Sequence, residues 1–190
     1  MSGAAPARTR RVFFALWPGE RAQEELAHAV AGALTSAGGR LLPAHNLHAT
    51  LAFLGSVPEE RLEELAALAR ACAAAWEGGA LRLEFGRLEH WARVAILVVT
   101  GEDADGRAHA LAHALRDACV RGGFAPDLKP FRAHVTVARK VTRAAPERTL
   151  PALAWRFTSF ALIESETRPS GSVYSVRASF VLGKGDKVRA

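Results

Sequence analysis

The stretch Asn46–Gly55, NLHATLAFLG, sets a histidine and a threonine into a run that otherwise reads as core, and Phe131–Lys140, FRAHVTVARK, does the same. Each holds His-x-Thr followed by a hydrophobe and an alanine, as His48-Ala49-Thr50-Leu51-Ala52 and His134-Val135-Thr136-Val137-Ala138. Successive side chains of a strand point to opposite faces. His48, Thr50 and Ala52 therefore share a face, opposite Leu47, Ala49, Leu51 and Phe53. Arg132, His134, Thr136 and Ala138 share another, opposite Phe131, Ala133, Val135 and Val137. By the same alternation Arg139 falls on the side away from His134. One face of each strand suits a core and the other a cleft, where small Ala52 and Ala138 would leave room for a ligand.

Outward from these words the chain alternates strands with amphipathic helices. RVFFALW, up to Pro18, is rich in aromatic and β-branched residues and predicts a strand. PGERAQEELAHAVAGAL opens on proline and acidic residues and stops before Gly38-Gly39, which predicts a helix. NLHATLAFLG is expected to end at Gly55, and VPEERLEELAALARACAAAW predicts a second helix, halted by Gly78-Gly79. ALRLEFGRLEHW and RVAILVVT predict two strands, GRAHALAHALRDACVRGG a helix, and RAAPERTLP a loop. WRFTSFALIES and SVYSVRASFVL predict the last two strands, joined by a turn around RPSGS. The echo of helix, loop and His-x-Thr strand is too degenerate for a solenoid. A duplicated α+β unit, with helices outside central sheets, fits better.

Composition narrows the function classes. At 190 residues the chain is long enough to bury a sizeable core. No apolar run approaches the roughly 18 residues of a membrane span, and MSGAAPARTRR lacks the apolar centre of a signal peptide. No membrane partner is expected, and a cytoplasmic location is the default. The net charge of +6 is carried mainly by arginine, whose planar fork matches phosphate. Cys72 and Cys119 sit in predicted helices without CxxC spacing, and read as a reduced structural pair. His109 and His113 are spaced i, i+4, but lack the intervening glutamate and the third ligand of a metal site. His45, His28 and His90 have no chemical context, and no glycine-rich phosphate loop occurs.

A lone histidine in a strand is usually structural; two in matching words are harder to dismiss. Two imidazoles opposed across a phosphodiester suffice for acid–base catalysis. One, neutral, takes a proton from the attacking water or hydroxyl, and the other, protonated, gives one to the leaving oxygen. Thr50 and Thr136 would donate to the non-bridging phosphate oxygens. Arg132, on the face of His134, is a further candidate for phosphate, and Arg139 stands near the strand end. Tyr174 would stack on a base or pack within the closing hairpin.

These words resemble the two-histidine (2H) phosphoesterase superfamily, and within it the RNA 2′,3′-cyclic phosphodiesterases, also called 2′-5′ RNA ligases. RVFFAL is similar to that family's opening strand, LLPAHNLHATLAFLG and KPFRAHVTVARK to its two motif segments, and FALIES with GSVYSVRASFVL to its closing hairpin. The resemblance implies an α+β fold of two lobes about a pseudo-twofold axis, with antiparallel-rich sheets lining a basic cleft. It runs from about residue 11 to 182, framing one domain between a disordered basic tail over 1–10 and a C-terminal tail over 183–190. It implies no cofactor and no metal, with His48 as proton donor and His134 as proton acceptor. The implied reaction opens a 2′,3′-cyclic phosphate on RNA or a nucleoside to a 2′-phosphate, and reversible 2′-5′ ligation of tRNA halves is a further implied activity. A monomer is the default. Ile96 and Leu97 stand where many relatives carry tryptophan, which leaves the base preference open. Two alternatives stand beside this: a 2H hydrolase of another cyclic or 2′-5′ linked nucleotide, and a non-catalytic RNA-binding module. Against the latter, pure phosphate binding would be served better by arginine or lysine than by paired histidines.

Overall fold

A computed structural model of the chain describes residues 8–143, 147–169 and 171–183. The expected N-terminal tail lies outside the described residues up to position 7, and the C-terminal tail from position 184 onward. The strands are β1 (Thr9–Leu16), β2 (Arg40–Leu41), β3 (Ala49–Pro58), β4 (Leu81–Trp91), β5 (Ile96–Glu102), β6 (His134–Arg139), β7 (Arg148–Phe157), β8 (Ser159–Arg168) and β9 (Gly171–Val181). The helices are α1 (Glu20–Ala37), α2 (Leu62–Ala74) and α3 (Arg107–Arg121).

All pairings are antiparallel, in the order β7-β4-β5-β6-β3-β1-β8-β9, with β2 added to β6. Exchanging β3 with β6, β1 with β5, β8 with β4 and β9 with β7 maps this order onto itself. The units β1-α1-β3 and β5-α3-β6 are thus the two copies of the duplicated α+β unit, and they meet where Ala49 pairs with Val135. The sheet must also curl. Phe157 ends β7 on one arm and Ser159 begins β8 on the other, with Thr158 alone between them.

The main core lies between the sheet and the helices. Phe14 and Leu16 of β1, Phe85 of β4, Leu97 of β5 and Val135 of β6 pack there with Leu26 and Val30 of α1, Leu65 and Ala69 of α2, and Leu111 and Leu115 of α3. The apolar stripes that the helix periodicity demands are therefore all used on one side. Phe13, Ala15, Ala161 and Ile163 form a smaller cluster on the opposite face, with Trp17, Phe53 and Tyr174 against it. Cys72 and Cys119 are both free thiols, and burial pushes Cys119 up to about 12.

Several expectations change. β3 runs through Gly55 to Pro58, because Gly55 takes a positive φ of 68° while still paired with Val12. The loop expected over 143–151 already contains the start of β7, whose Arg148 pairs with Leu88. The single strand expected over WRFTSFALIES is two strands, bent at Thr158, whose carbonyl accepts from the Leu182 amide at 2.8 Å.

Ala52 and Ala138 do not face the cleft; both are buried in the main core. The cause is a bulge in each motif. Ala15 pairs with Thr50 and Phe14 with Ala52, so Leu51 is the extra residue. Val98 pairs with Thr136 and Leu97 with Ala138, so Val137 is extra. A bulge shifts every later side chain to the other face. Phe53 accordingly leaves the core side, and Arg139 swings toward the histidines, against the simple alternation.

Candidate active site

Both histidines are held in the same way. His48 Nδ1 lies 2.7 Å from the Asn46 carbonyl and His134 Nδ1 lies 2.7 Å from the Arg132 carbonyl, each two residues upstream. A carbonyl only accepts, so each Nδ1 carries the proton and each Nε2 is left with its lone pair. Extending the Ala49–Val135 pairing by one residue sets His48 opposite Thr136 and Thr50 opposite His134. Neither threonine hydroxyl has a hydrogen-bond partner among the described residues. Two imidazole nitrogens and two hydroxyls are thereby gathered at the junction of the two units.

The surroundings of the two rings differ. His48 stacks against Phe13 (centroids 4.9 Å apart) and Trp17 (5.1 Å), with Tyr174 edge-on at 5.3 Å. Burial in this aromatic box pushes its pKa down to about 4, against the Asn46 carbonyl bond, which raises it; the charge of Arg139 lowers it further. His134 packs on Trp91 at 4.8 Å, and burial lowers its pKa also. Both shifts favour the uncharged ring in the free protein.

A cavity of ≈ 210 Å³ opens beside His48, with Arg11, Thr50, Phe53, Arg139 and Tyr174 in its wall. Arg11 lies over the Phe53 ring at 4.7 Å, and Arg139 makes no ion pair among the described residues. Arg132 is differently placed. Its Nη2 donates to both carboxylate oxygens of Glu89, at 3.1 and 2.8 Å, and its guanidinium covers Trp91 at 4.8 Å. The sequence presented it as a phosphate or cleft contact; in the structure it is paired with Glu89. Glu89 also accepts from Trp91 Nε1 at 2.9 Å and Thr100 Oγ1 at 2.8 Å. Burial acts to raise the Glu89 pKa, but the bonds from Trp91, Thr100 and Arg132 outweigh it and hold the carboxyl below the usual range.

His48, Thr50, His134 and Thr136 are thus brought together as expected, with Tyr174 and Arg139 beside them. Sequence reasoning missed Phe13, Trp17, Trp91 and Glu89. The first two were signalled faintly, since Phe13, Ala15 and Trp17 share one strand face. Trp91 and Glu89 act across strands, where a local pattern carries no sign of them. His113 pairs with Asp117 at 3.1 Å and His109 touches Phe131, as ordinary members of a helix face. No helix is long and apolar enough to cross a membrane among the described residues.

A family model of the 2′-5′ RNA ligase superfamily matches residues 18–169. The chain is 33% identical, over 184 residues and 90% of each chain, to an RNA 2′,3′-cyclic phosphodiesterase of Thermus thermophilus. It is 30% identical to a protein of the same name from Escherichia coli, over 82% of this chain and 87% of that one. Among solved structures it resembles E. coli LigT complexed with 3′-AMP, with a TM-score of 0.82 and 26% identity over 92% of this chain and 99% of that one.

Proposed function

The chain belongs to the 2′-5′ RNA ligase superfamily, and from that membership we propose that it hydrolyses 2′,3′-cyclic phosphates of RNA or nucleosides to 2′-phosphates by metal-independent two-histidine catalysis. One observation carries the reading. Two imidazoles, each with Nδ1–H tied to a carbonyl two residues back, stand beside two threonine hydroxyls, and neither Nε2 nor either hydroxyl has a partner among the described residues.

His134 Nε2 takes a proton from water as the water oxygen attacks phosphorus. The bond from phosphorus to O3′ breaks, and His48 Nε2–H delivers a proton to that departing oxygen, leaving the phosphate on O2′. Thr50, Thr136 and Arg139 bind the non-bridging oxygens, where negative charge grows in the transition state. Tyr174 backs His48 and borders the ribose. With a 5′-hydroxyl in place of water, the same displacement forms a 2′-5′ linkage, so the ligation of RNA ends, tRNA halves among them, uses the same groups.

His48 is uncharged at rest, so its donor role requires that the proton arrive with the substrate. An anionic phosphate beside the ring favours the imidazolium and opposes the burial that disfavours it. Incubation with adenosine 2′,3′-cyclic phosphate should yield adenosine 2′-phosphate, in the presence of EDTA as in its absence. His48→Ala and His134→Ala should each nearly abolish turnover, and the double variant should be little worse. Near-wild-type kcat in either single variant, or activity restored after chelation only by added metal, would overturn the reading.

A further inference from the structure

Two cavities flank the histidines, and their charges differ. One, of ≈ 750 Å³, adjoins His134 through Arg132 and Thr100. Its charges are largely matched, Arg87 by Glu147, Arg132 by Glu89 and Glu84 by Arg82, which leaves Arg148 and Glu102 without an ion pair among the described residues. The other, of ≈ 370 Å³, shares Arg139, Ser172 and Tyr174 with the cavity beside His48 and has no acidic residue in its wall among the described residues.

Arg40 and Arg139 are Cα partners in the β2–β6 ladder, and both line this second cavity. Directly paired side chains leave the same face of a sheet, from Cα atoms ~5 Å apart. Neither arginine makes an ion pair among the described residues. The local backbone is shaped to set them there. At Gly39 (φ +99°) a Cβ would lie 2.8 Å from the Arg139 carbonyl, and at Gly171 (φ +137°) one would lie 3.1 Å from the Arg40 guanidinium carbon. Leu41 and Val173, 52% and 36% exposed, give the same cavity an apolar wall on which a base can rest.

A 2′,3′-cyclic phosphate occupies both secondary oxygens of its ribose, so an RNA chain can continue from it only through the 5′ oxygen. Any second nucleotide must therefore lie upstream, and the larger cavity, where acids match the arginines, offers its phosphate no net attraction. Building on the proposed activity, we propose that the Arg40 cavity is a subsite for the nucleotide on the 5′ side of the cyclic phosphate. Arg40 contacts the phosphodiester that joins the two nucleotides, while Arg139 stays with the cyclic phosphate. The site is thereby built for the end of an RNA strand in preference to a mononucleotide.

The test compares kcat/KM for the dinucleotide ApA 2′,3′-cyclic phosphate with that for adenosine 2′,3′-cyclic phosphate. The wild type should favour the dinucleotide by roughly tenfold or more, the scale of one charge-assisted hydrogen bond. Arg40→Ala should remove most of that advantage, and Arg40→Glu should reverse it, whereas Arg148→Ala, in the larger cavity, should keep it. In Arg40→Ala the slope of log kcat/KM against log salt for the dinucleotide should flatten by ~0.7, as for one lost phosphate contact on a single strand. Equal kcat/KM for the two substrates in the wild type, or equal losses on both in Arg40→Ala, would overturn the subsite and leave the proposed activity standing. Failure of the wild type to turn over either substrate would overturn that activity, and the subsite with it.

Discussion

His48 and His134 share one anchoring device and differ in what surrounds them. Three aromatic rings press on His48 and one on His134, and burial in that box is the main reason for a pKa of about 4 at His48. Titration of the His48 ring by NMR should give a midpoint well below 6.5, and Trp17→Ala should raise it by admitting water. Between about 4 and 6.5 the unfolded chain binds more protons than the native one. This residue's contribution therefore makes stability rise with pH across that window, and the gain is lost as pH falls through it. Calorimetry of adenosine 2′-phosphate binding near pH 6, in buffers of different ionisation enthalpy, should reveal net proton uptake. Its absence would place the donor proton elsewhere. The leaving group offers a second check, because a nitrophenolate departs without help from an acid. His48→Ala should be much less impaired on a nitrophenyl phosphodiester than on a nucleoside cyclic phosphate, and His134→Ala should be impaired on both. The opposite pattern would exchange the two roles.

At the scale of strands, the decisive elements are the two bulges that follow the threonines. Deleting Val137 should restore plain alternation and turn Arg139 from the cleft toward the buried side of the sheet. An unpaired guanidinium there costs several kcal/mol, so ΔVal137 should melt far below the wild type and lack activity. A folded, active deletion would show that the bulge does not aim Arg139. The bulges also mark what was legible in the sequence. The paired His-x-Thr words, the helices and the cleft-facing order of His48 and Thr50 follow from periodicity, which acts between neighbours. A bulge requires no particular residue type, so Leu51 and Val137 look like any core hydrophobe, and the inward turn of Ala52 and Ala138 was invisible. The same holds for Glu89, whose partners Trp91, Thr100 and Arg132 come from three different segments. β7 was hidden for another reason. Its alternation is weak, since much of it is exposed at a sheet edge, and Pro151 within it reads as a breaker.

Across the whole molecule, one core joins the two arms of the sheet, with Phe14 of β1 and Phe85 of β4 in the same apolar cluster. Urea unfolding should therefore be a single transition, with coincident midpoints by tryptophan fluorescence and far-UV circular dichroism. Phe14→Ala and Phe85→Ala should each lower that one transition by about 3–5 kcal/mol. A variant that moved only one of two separable steps would show that the halves fold independently. The strand order carries one more consequence. β1 is made well before β8, yet it lies between β3 and β8 in the sheet. Tyr174, which closes the box around His48, comes later still, in β9. A nascent chain thus carries both histidines before the last ring of the box around the first of them exists. Its catalytic power should switch on only once β9 has been made, and chains that stop before Tyr174 should be catalytically silent.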